Sequence, residues 1–173
     1  MVPTRSVPFT LQRATGNNSS GTDGVFAIEF DSVQPREVEN IATGSITLGS
    51  YRETFEAPLH VWRRQDYESH WREAVHRILG GAPSTALITE LYDPISANFI
   101  KWWPAYRFGG EIRFHNQLLL MADLHGPFDL SEVYRHIGPY EQLTEDGEQI
   151  SEWAVPVREL EDFLRRTAAS PDA

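Results

Sequence analysis

The chain is organised around residues 87–121, which read LITELYDPISANFIKWWPAYRFGGEIRFHNQLLLM. Three apolar runs rich in β-branched and aromatic residues predict strands. An Asp-Pro pair at 93–94 separates the first two runs, and a Gly-Gly pair at 109–110 favours a tight hairpin turn with positive φ. Trp102 and Trp103 lie on the middle run, where neighbouring side chains point to opposite faces. We therefore predict a central hairpin that is covered on both faces.

The length and composition indicate one folded domain. The 173 residues are 40% hydrophobic and include five tryptophans, and no apolar run approaches the roughly 20 residues of a membrane span. The absence of cysteine excludes disulfides and cysteine-ligated zinc. We expect no secretory signal, because no continuous apolar segment follows Arg5, and we expect a cytoplasmic protein.

Three strands and one long helix are predicted before residue 87. VFAIEF (25–30) alternates as strands do, and ATGSITLGSYRETFEAPLHVW (42–62) contains two extended runs that separate near Gly49. The spacing of apolar residues predicts a helix over 65–79, capped by Asp66 and ended by two glycines. The expected buried stripe of this helix comprises Tyr67, Trp71, Ala74, Val75, Ile78 and Leu79.

The chain after Met121 is more polar and contains shorter elements. Residues 130–137 predict a short helix started by Asp129 or Ser131, and the Asp-Gly pair at 146–147 predicts a turn. ISEWAVPV (150–157) predicts a strand, and a closing helix is expected over 157–166.

These elements predict an α+β domain whose sheet is mainly antiparallel, because the connections are too short for repeated parallel crossovers. The sheet is expected to pack with one long central helix and a short C-terminal helix. We assign residues 1–24 to a weakly ordered leader, 25–167 to the single domain and 168–173 to a tail.

Motifs for catalysis and metal binding are mostly absent. The sequence contains no Gly-x-Ser-x-Gly elbow, no phosphate-binding glycine loop and no His-Glu-x-x-His zinc helix. His70 and His76 are six residues apart, about 600° of helical rotation, so they do not share a face. We expect both to be surface histidines, and we expect no cofactor or metal.

One strand could carry an acid/base pair. Glu111, Arg113 and His115 alternate along it and therefore share a sheet face. A small hydrolase that uses His115 with Glu111 is one alternative function, although a solvated polar face is the commoner explanation of such a pattern. A second alternative is a scaffold that pairs with another copy through the strand carrying Trp102 and Trp103.

The acidic charge is concentrated near the C-terminus. Residues 123–162 contain eleven acidic residues and two arginines, a net charge of −9 out of the −10 of the whole chain. Such a balance disfavours direct binding of nucleic acid and favours a basic protein partner, with aromatic side chains as anchors. A solvated acidic loop is the alternative. The candidate contact residues are Asp123, Asp129, Glu132, Tyr134, Tyr140, Glu145, Asp146, Glu148 and Glu152.

Four ordered motifs resemble one family. RRQDYESHWREAV (63–75), ALITELYDPISANFIKWWPAYRF (86–108), HNQLLL (115–120) and TEDGEQISEW (144–153) look like the immunity proteins of bacterial contact-dependent growth inhibition systems. The resemblance covers roughly residues 25–166.

The resemblance implies a non-enzymatic protein of the cytosol. Such proteins bind and block the toxic C-terminal domain of a delivered effector, often a nuclease, and have no catalytic residues to carry over. It therefore implies a cognate toxin domain as the partner. Because nucleases bind phosphate and are commonly basic, an acidic inhibitor suits them.

Overall fold

The strands form two antiparallel sheets, of three and five strands, in this computed structural model. It describes residues 25–31, 40–93, 95–124 and 126–168. The predicted leader and residues 169–173 of the predicted tail lie outside the described residues. In chain order the elements are β1 (Phe26–Phe30), β2 (Ile41–Leu48), β3 (Tyr51–Pro58), α1 (Arg64–Leu79), β4 (Ser84–Glu90), β5 (Phe99–Phe108), β6 (Glu111–His115), β7 (Gln117–Leu120), a first 3₁₀ turn (Met121–Asp123), a second 3₁₀ segment (Leu130–His136), β8 (Glu152–Pro156) and α2 (Val157–Ala168).

The smaller sheet is the meander β1–β2–β3. Its second hairpin turns at Gly49, whose φ of 66° lies in the region that favours glycine. Phe26 and Ile28 of β1 are buried, as the alternation predicts. Gly44 of β2 allows a close approach, because a Cβ there would lie 2.5 Å from the Phe55 ring.

The larger sheet has the order β4-β5-β6-β8, and β7 also pairs with β5. The predicted hairpin between β5 and β6 is confirmed, with Gly109 at a φ of 60°. The prediction of one continuous third strand is wrong, because the run divides at Asn116. The side-chain amide of Asn116 donates to both carboxylate oxygens of Glu53, at 3.2 and 3.1 Å, so this residue contacts β3 between the two strands.

β5 lies inside the larger sheet. It pairs with β4 on one edge and with β6 and β7 on the other, so it has no free edge for a second copy. Trp102 and Trp103 are both 1% exposed, and the Trp103 ring packs against Tyr51 and Trp153. The scaffold alternative based on this strand is therefore wrong.

Helix α1 begins one residue earlier than predicted, and its cap differs. Arg63 is the N-cap, and Asp66 occupies the third helical position, where its carboxylate accepts a hydrogen bond from the Arg63 backbone N–H at 2.8 Å. Asp66 therefore caps the start of the helix as predicted, but from the third helical position of a capping box rather than as the N-cap residue. Gly81, with a φ of 104°, follows the end of the helix. The predicted stripe is buried except for Leu79, which is partly buried.

Side chains of α1 cover the outer edge of β4. His70 Nε2 accepts a hydrogen bond from the Ile88 N–H at 3.1 Å, and Trp71 Nε1 donates to the Ile88 carbonyl at 2.7 Å. The Tyr67 hydroxyl accepts from the Leu91 N–H at 3.0 Å. Unpaired edge groups would be open to another strand, and the helix satisfies them instead. The prediction that His70 is a surface residue is wrong, since it is 8% exposed.

This contact requires a neutral His70 and predicts a pH-dependent stability. Burial lowers the pKa of His70 to about 4 from its ordinary value near 6.5. As the pH falls from 6.5 to 4, the unfolded chain binds a proton at His70 and the folded chain does not. The free energy of unfolding should therefore fall by about 1.4 kcal/mol per pH unit, and by about 3 kcal/mol in all.

Urea unfolding of the wild type and of His70→Gln across this range measures the effect. Glutamine keeps an acceptor for Ile88 but does not titrate, so this part of the slope should disappear. His76→Gln is the matched control, because His76 lies exposed on the same helix and should leave the slope unchanged. An unaltered slope in His70→Gln would contradict the assignment.

Helix α2 closes the fold against the smaller sheet. It extends two residues beyond the predicted end, and it buries Leu160 and Phe163. The Phe163 ring meets Phe26 edge to face at 5.1 Å, and the Arg166 guanidinium donates to the Phe26 carbonyl at 2.7 Å. The predicted α+β class is confirmed. Within the described residues no helix is long and apolar enough to cross a membrane.

Candidate protein interface

The nine candidate contact residues lie on the segment between β7 and β8 and on β8 itself. The segment begins at the first 3₁₀ turn, where the Met121 N–H donates to the Asn98 carbonyl at 2.9 Å. This contact places the half-buried Asp123 near the start of β5. The second 3₁₀ segment buries Val133 and contacts β4.

Two acidic candidates of the second 3₁₀ segment have local partners. Asp129 is its N-cap, as one of the two predicted possibilities, and accepts from the backbone N–H and the hydroxyl of Ser131 at 2.8 and 2.7 Å. These hydrogen bonds lower the pKa of Asp129. Glu132 is exposed and forms an ion pair with Arg135. Both carboxylates therefore already interact with groups of this chain.

Tyr134 packs against helix α1. Its ring stacks on His70, with centroids 6.1 Å apart, and the Arg77 guanidinium lies 4.6 Å from the ring centroid. Burial raises the pKa of Tyr134 to about 12. The side chain thus joins the 3₁₀ segment to α1.

Tyr140 attaches the segment to the far end of β5. Its ring packs against Phe108, Tyr106 and His115, at centroid distances of 4.7, 5.4 and 5.5 Å. Its hydroxyl accepts a hydrogen bond from Arg113 at 3.1 Å. These contacts hold the chain in place just before residues 143–149.

The buried His115 and the partly exposed Glu152 form a pair behind Tyr140. His115 is 1% exposed, and its Nε2 lies 3.0 Å from a Glu152 carboxylate oxygen. On the other side of the ring, the Gln117 side-chain nitrogen lies 3.5 Å from Nδ1. Burial opposes the ionisation of Glu152, but hydrogen bonds from His115 and Tyr140 and the charge of Arg113 hold its pKa below the ordinary value.

The prediction of a solvated face at His115 is therefore wrong. The Glu111–His115 acid/base pair is also wrong, since His115 pairs with Glu152 and the Glu111 carboxylate accepts from Arg113 at 2.9 Å. The alternation along β6 is real, but β8 places Glu152 beside the histidine, and the rings of Tyr106 and Tyr140 pack against it at 5.2 and 5.5 Å. A strand pattern shows which residues share a face and does not show what covers it.

The acidic turn consists of residues 143–149 and carries three exposed candidates. Glu145, Asp146 and Glu148 are all exposed, and Gly147 turns the chain at a φ of 80°. The Gly147 N–H donates to the Thr144 carbonyl at 2.9 Å, and the Thr144 N–H donates to the Glu148 carbonyl at 2.7 Å. The predicted turn is confirmed, and it presents three carboxylates from a hydrogen-bonded loop.

The structure thus divides the predicted contact residues between two places. Tyr140 packs on Phe108 at the end of β5, and Glu152 pairs with His115 of β6, so both residues that flank the acidic turn are attached to the larger sheet. Asp123 instead lies near the start of β5.

Comparisons with known proteins identify the family. The family profile of the CdiI N-terminal domain matches residues 57–163. The chain belongs to this family.

The immunity protein CdiI of Enterobacter cloacae subsp. cloacae is 28% identical over 127 residues, which cover 73% of this chain and 87% of that protein. A solved chain from the CdiA-CT/CdiI toxin and immunity complex of Enterobacter cloacae superposes with a TM-score of 0.75 and 25% identity. The match covers 84% of this chain and all of the solved chain. The predicted resemblance to immunity proteins of contact-dependent growth inhibition is confirmed.

Membership of the CdiI family places the chain among immunity proteins rather than enzymes, as the sequence predicts. The His115–Glu152 pair therefore has a structural role. It ties β6 to β8, and through Arg113 and Tyr140 it joins both strands to the segment that leads into the acidic turn.

A groove that sequence reasoning missed lies between the end of β3 and the start of β5. Its volume is about 550 Å³. It is lined by Pro58, His60, Tyr92, Asp93, Ser96, Ala97, Asn98 and Phe99. Beside it, Ile95 is 96% exposed. In the sequence, only the apolar Ile95 within an otherwise polar turn indicated a binding surface here. Nothing in the sequence indicated that β3 contributes to the groove.

Proposed function

We propose that this chain is a cytoplasmic immunity protein that binds the toxic C-terminal domain of its cognate contact-dependent growth inhibition effector and blocks it. The observation that carries the proposal is the similarity, over 84% of this chain, to a chain from a toxin and immunity complex.

We further propose that the toxin domain is a basic nuclease. The support is electrostatic, since a chain of net charge −10 presents Glu145, Asp146 and Glu148 on an exposed turn. A nuclease active site must attract phosphate, so it presents the positive charge that these carboxylates complement. The inhibitor would occupy the surface that nucleic acid otherwise approaches.

The attachment of the acidic turn to the sheet supports tight binding. Tyr140 packs on β5 before the turn, and Glu152 is paired with His115 after it. A surface held in this way loses little conformational entropy when it binds. Tight inhibitor complexes of this kind bury on the order of 1,600 Å² in total.

Co-expression with the toxin domain encoded beside this chain tests the proposal. Growth should be restored, and purified toxin should lose its nucleic-acid cleavage at one equivalent of this chain. A toxin domain from an unrelated effector is the matched control, and it should kill equally with and without this chain. Undiminished killing by the cognate toxin would refute the proposal, and a toxin that cleaves no nucleic acid would refute its nuclease part.

A further inference from the structure

The groove between β3 and β5 has an aromatic wall and an apolar neighbour. The rings of Tyr92 and Phe99 meet edge to face, with centroids 5.6 Å apart, and Pro58 and Ala97 also line it. Ile95 lies between Tyr92 and Phe99 in the chain and is 96% exposed. An isoleucine so exposed contributes nothing to the core of the fold.

The turn that carries Ile95 is ordered by its own hydrogen bonds. The Ile95 N–H donates to the Asp93 carboxylate at 3.0 Å, and the Ser96 and Ala97 N–H groups donate to the Asp93 carbonyl at 3.0 and 2.8 Å. The isoleucine is therefore presented in a defined position before any partner arrives. Such preorganisation favours an anchor residue of a protein interface.

The surroundings of Tyr92 are acidic. Its hydroxyl lies 3.4 Å from a Glu90 carboxylate oxygen, and burial, Glu90 and Glu56 all raise its pKa. The Lys101 ammonium lies 2.8 Å from Glu53 and 3.6 Å from Glu90, so it is engaged within the chain. Asp93 lines the groove, and with Glu90 and Glu56 near Tyr92 it gives three carboxylates against the one ammonium of Lys101, a net of two negative charges.

The negative charge near the groove determines which kind of partner can bind there. A second copy would bring the same carboxylates face to face, which is unfavourable. A side chain with an apolar stem and a cationic end suits both the aromatic wall and the acidic rim. We propose that the groove receives an arginine side chain of the toxin domain and that Ile95 inserts into that domain as an adjoining anchor.

This inference rests on the proposed function and extends its interface beyond the acidic turn. The groove is continuous with one predicted contact residue, because Asn98 on its rim accepts a hydrogen bond from Met121 of the 3₁₀ turn that contains Asp123. The acidic turn is a separate part of the proposed interface, because Tyr140 and Glu152 on either side of it contact β5 and β6 rather than the groove.

Binding of the toxin domain encoded beside this chain tests the inference through three variants. Ile95→Ala should raise Kd about tenfold or more, mainly through faster dissociation. Tyr92→Leu and Glu56→Gln should each raise Kd several-fold, since they remove the aromatic face and one carboxylate. Val25→Ala is the matched control, because Val25 is an exposed apolar residue (46%) far from the groove. It precedes Phe26, which pairs with Leu48 at one end of the smaller sheet, whereas Pro58 of the groove lies at the other end.

The outcomes separate the inference from the proposed function. If the wild type does not bind the toxin, the proposed function fails. If it binds and all three variants bind as tightly as Val25→Ala, only the groove inference fails. A loss confined to Ile95→Ala would overturn the arginine site. A dimer in light scattering that Ile95→Ala dissociates would overturn the choice of toxin over a second copy.

Discussion

Reversal of Glu145, Asp146 and Glu148 to lysine should lower the association rate constant with the cognate toxin domain by about 10- to 10³-fold at low ionic strength. The three side chains are exposed on the acidic turn, so the change converts three negative charges to three positive charges without disturbing packed groups. Long-range attraction then becomes repulsion. Stopped-flow mixing at low and high salt measures the association rate constant. The difference in rate constant between the variant and the wild type should shrink at high salt, because salt screens the charges.

A matched triple reversal distinguishes the position of the charge from its amount. Glu29, Glu73 and Glu161 are also exposed, but they lie on β1, α1 and α2. Their reversal to lysine changes the net charge equally and should lower the rate constant much less. Equal rate constants in the two triple variants would show that the total charge, and not the acidic turn, steers the toxin.

Replacement of Trp71 by alanine should reduce the free energy of unfolding by about 3–5 kcal/mol. Trp71 is 1% exposed, and its ring lies 5.0 Å from Phe30 and 5.8 Å from Phe55, so it joins α1 to the smaller sheet. Its Nε1 also donates to the Ile88 carbonyl on the edge of β4. One side chain therefore connects the helix to both sheets.

Two further variants show how much of this loss comes from the hydrogen bond and from the buried position of Trp71. Trp71→Phe keeps an aromatic ring but leaves the Ile88 carbonyl without its donor, which should cost about 1–3 kcal/mol. Trp62→Ala removes a partly buried tryptophan that packs on Tyr67 from outside, and it should cost less than Trp71→Ala. Urea unfolding followed by circular dichroism measures all three variants. A loss in Trp71→Ala no larger than that in Trp62→Ala would contradict the central position of Trp71.

The elements that sequence reasoning predicted well depend on neighbours in the chain. The stripe of α1 follows from helical spacing, and the β5–β6 hairpin follows from a glycine that adopts positive φ at residue 109. The turn at Gly147 and the start of the 3₁₀ segment at Asp129 have the same local origin. Family membership also follows from ordered motifs along the chain.

The features that sequence reasoning missed depend on distant contacts. Neutral, buried His70 requires the edge of β4, and buried His115 requires β8, thirty-seven positions along the chain at Glu152. The break at Asn116 requires Glu53 of the other sheet. No local pattern encodes these partners, because they meet only when the sheets pack together.

The chain itself therefore sets the strands, the main helix, the turns and the amount of acidic charge, since propensity, turn chemistry and composition are local properties. Tertiary packing determines which of the acidic side chains remain exposed to a partner. It engages Glu152 with His115, caps a 3₁₀ segment with Asp129, and leaves the carboxylates of the acidic turn exposed. It also assembles the groove beside Ile95 from Pro58 of one sheet and Phe99 of the other. A binding surface is a property of side chains brought together by long-range contacts, and its position appears only in the folded molecule.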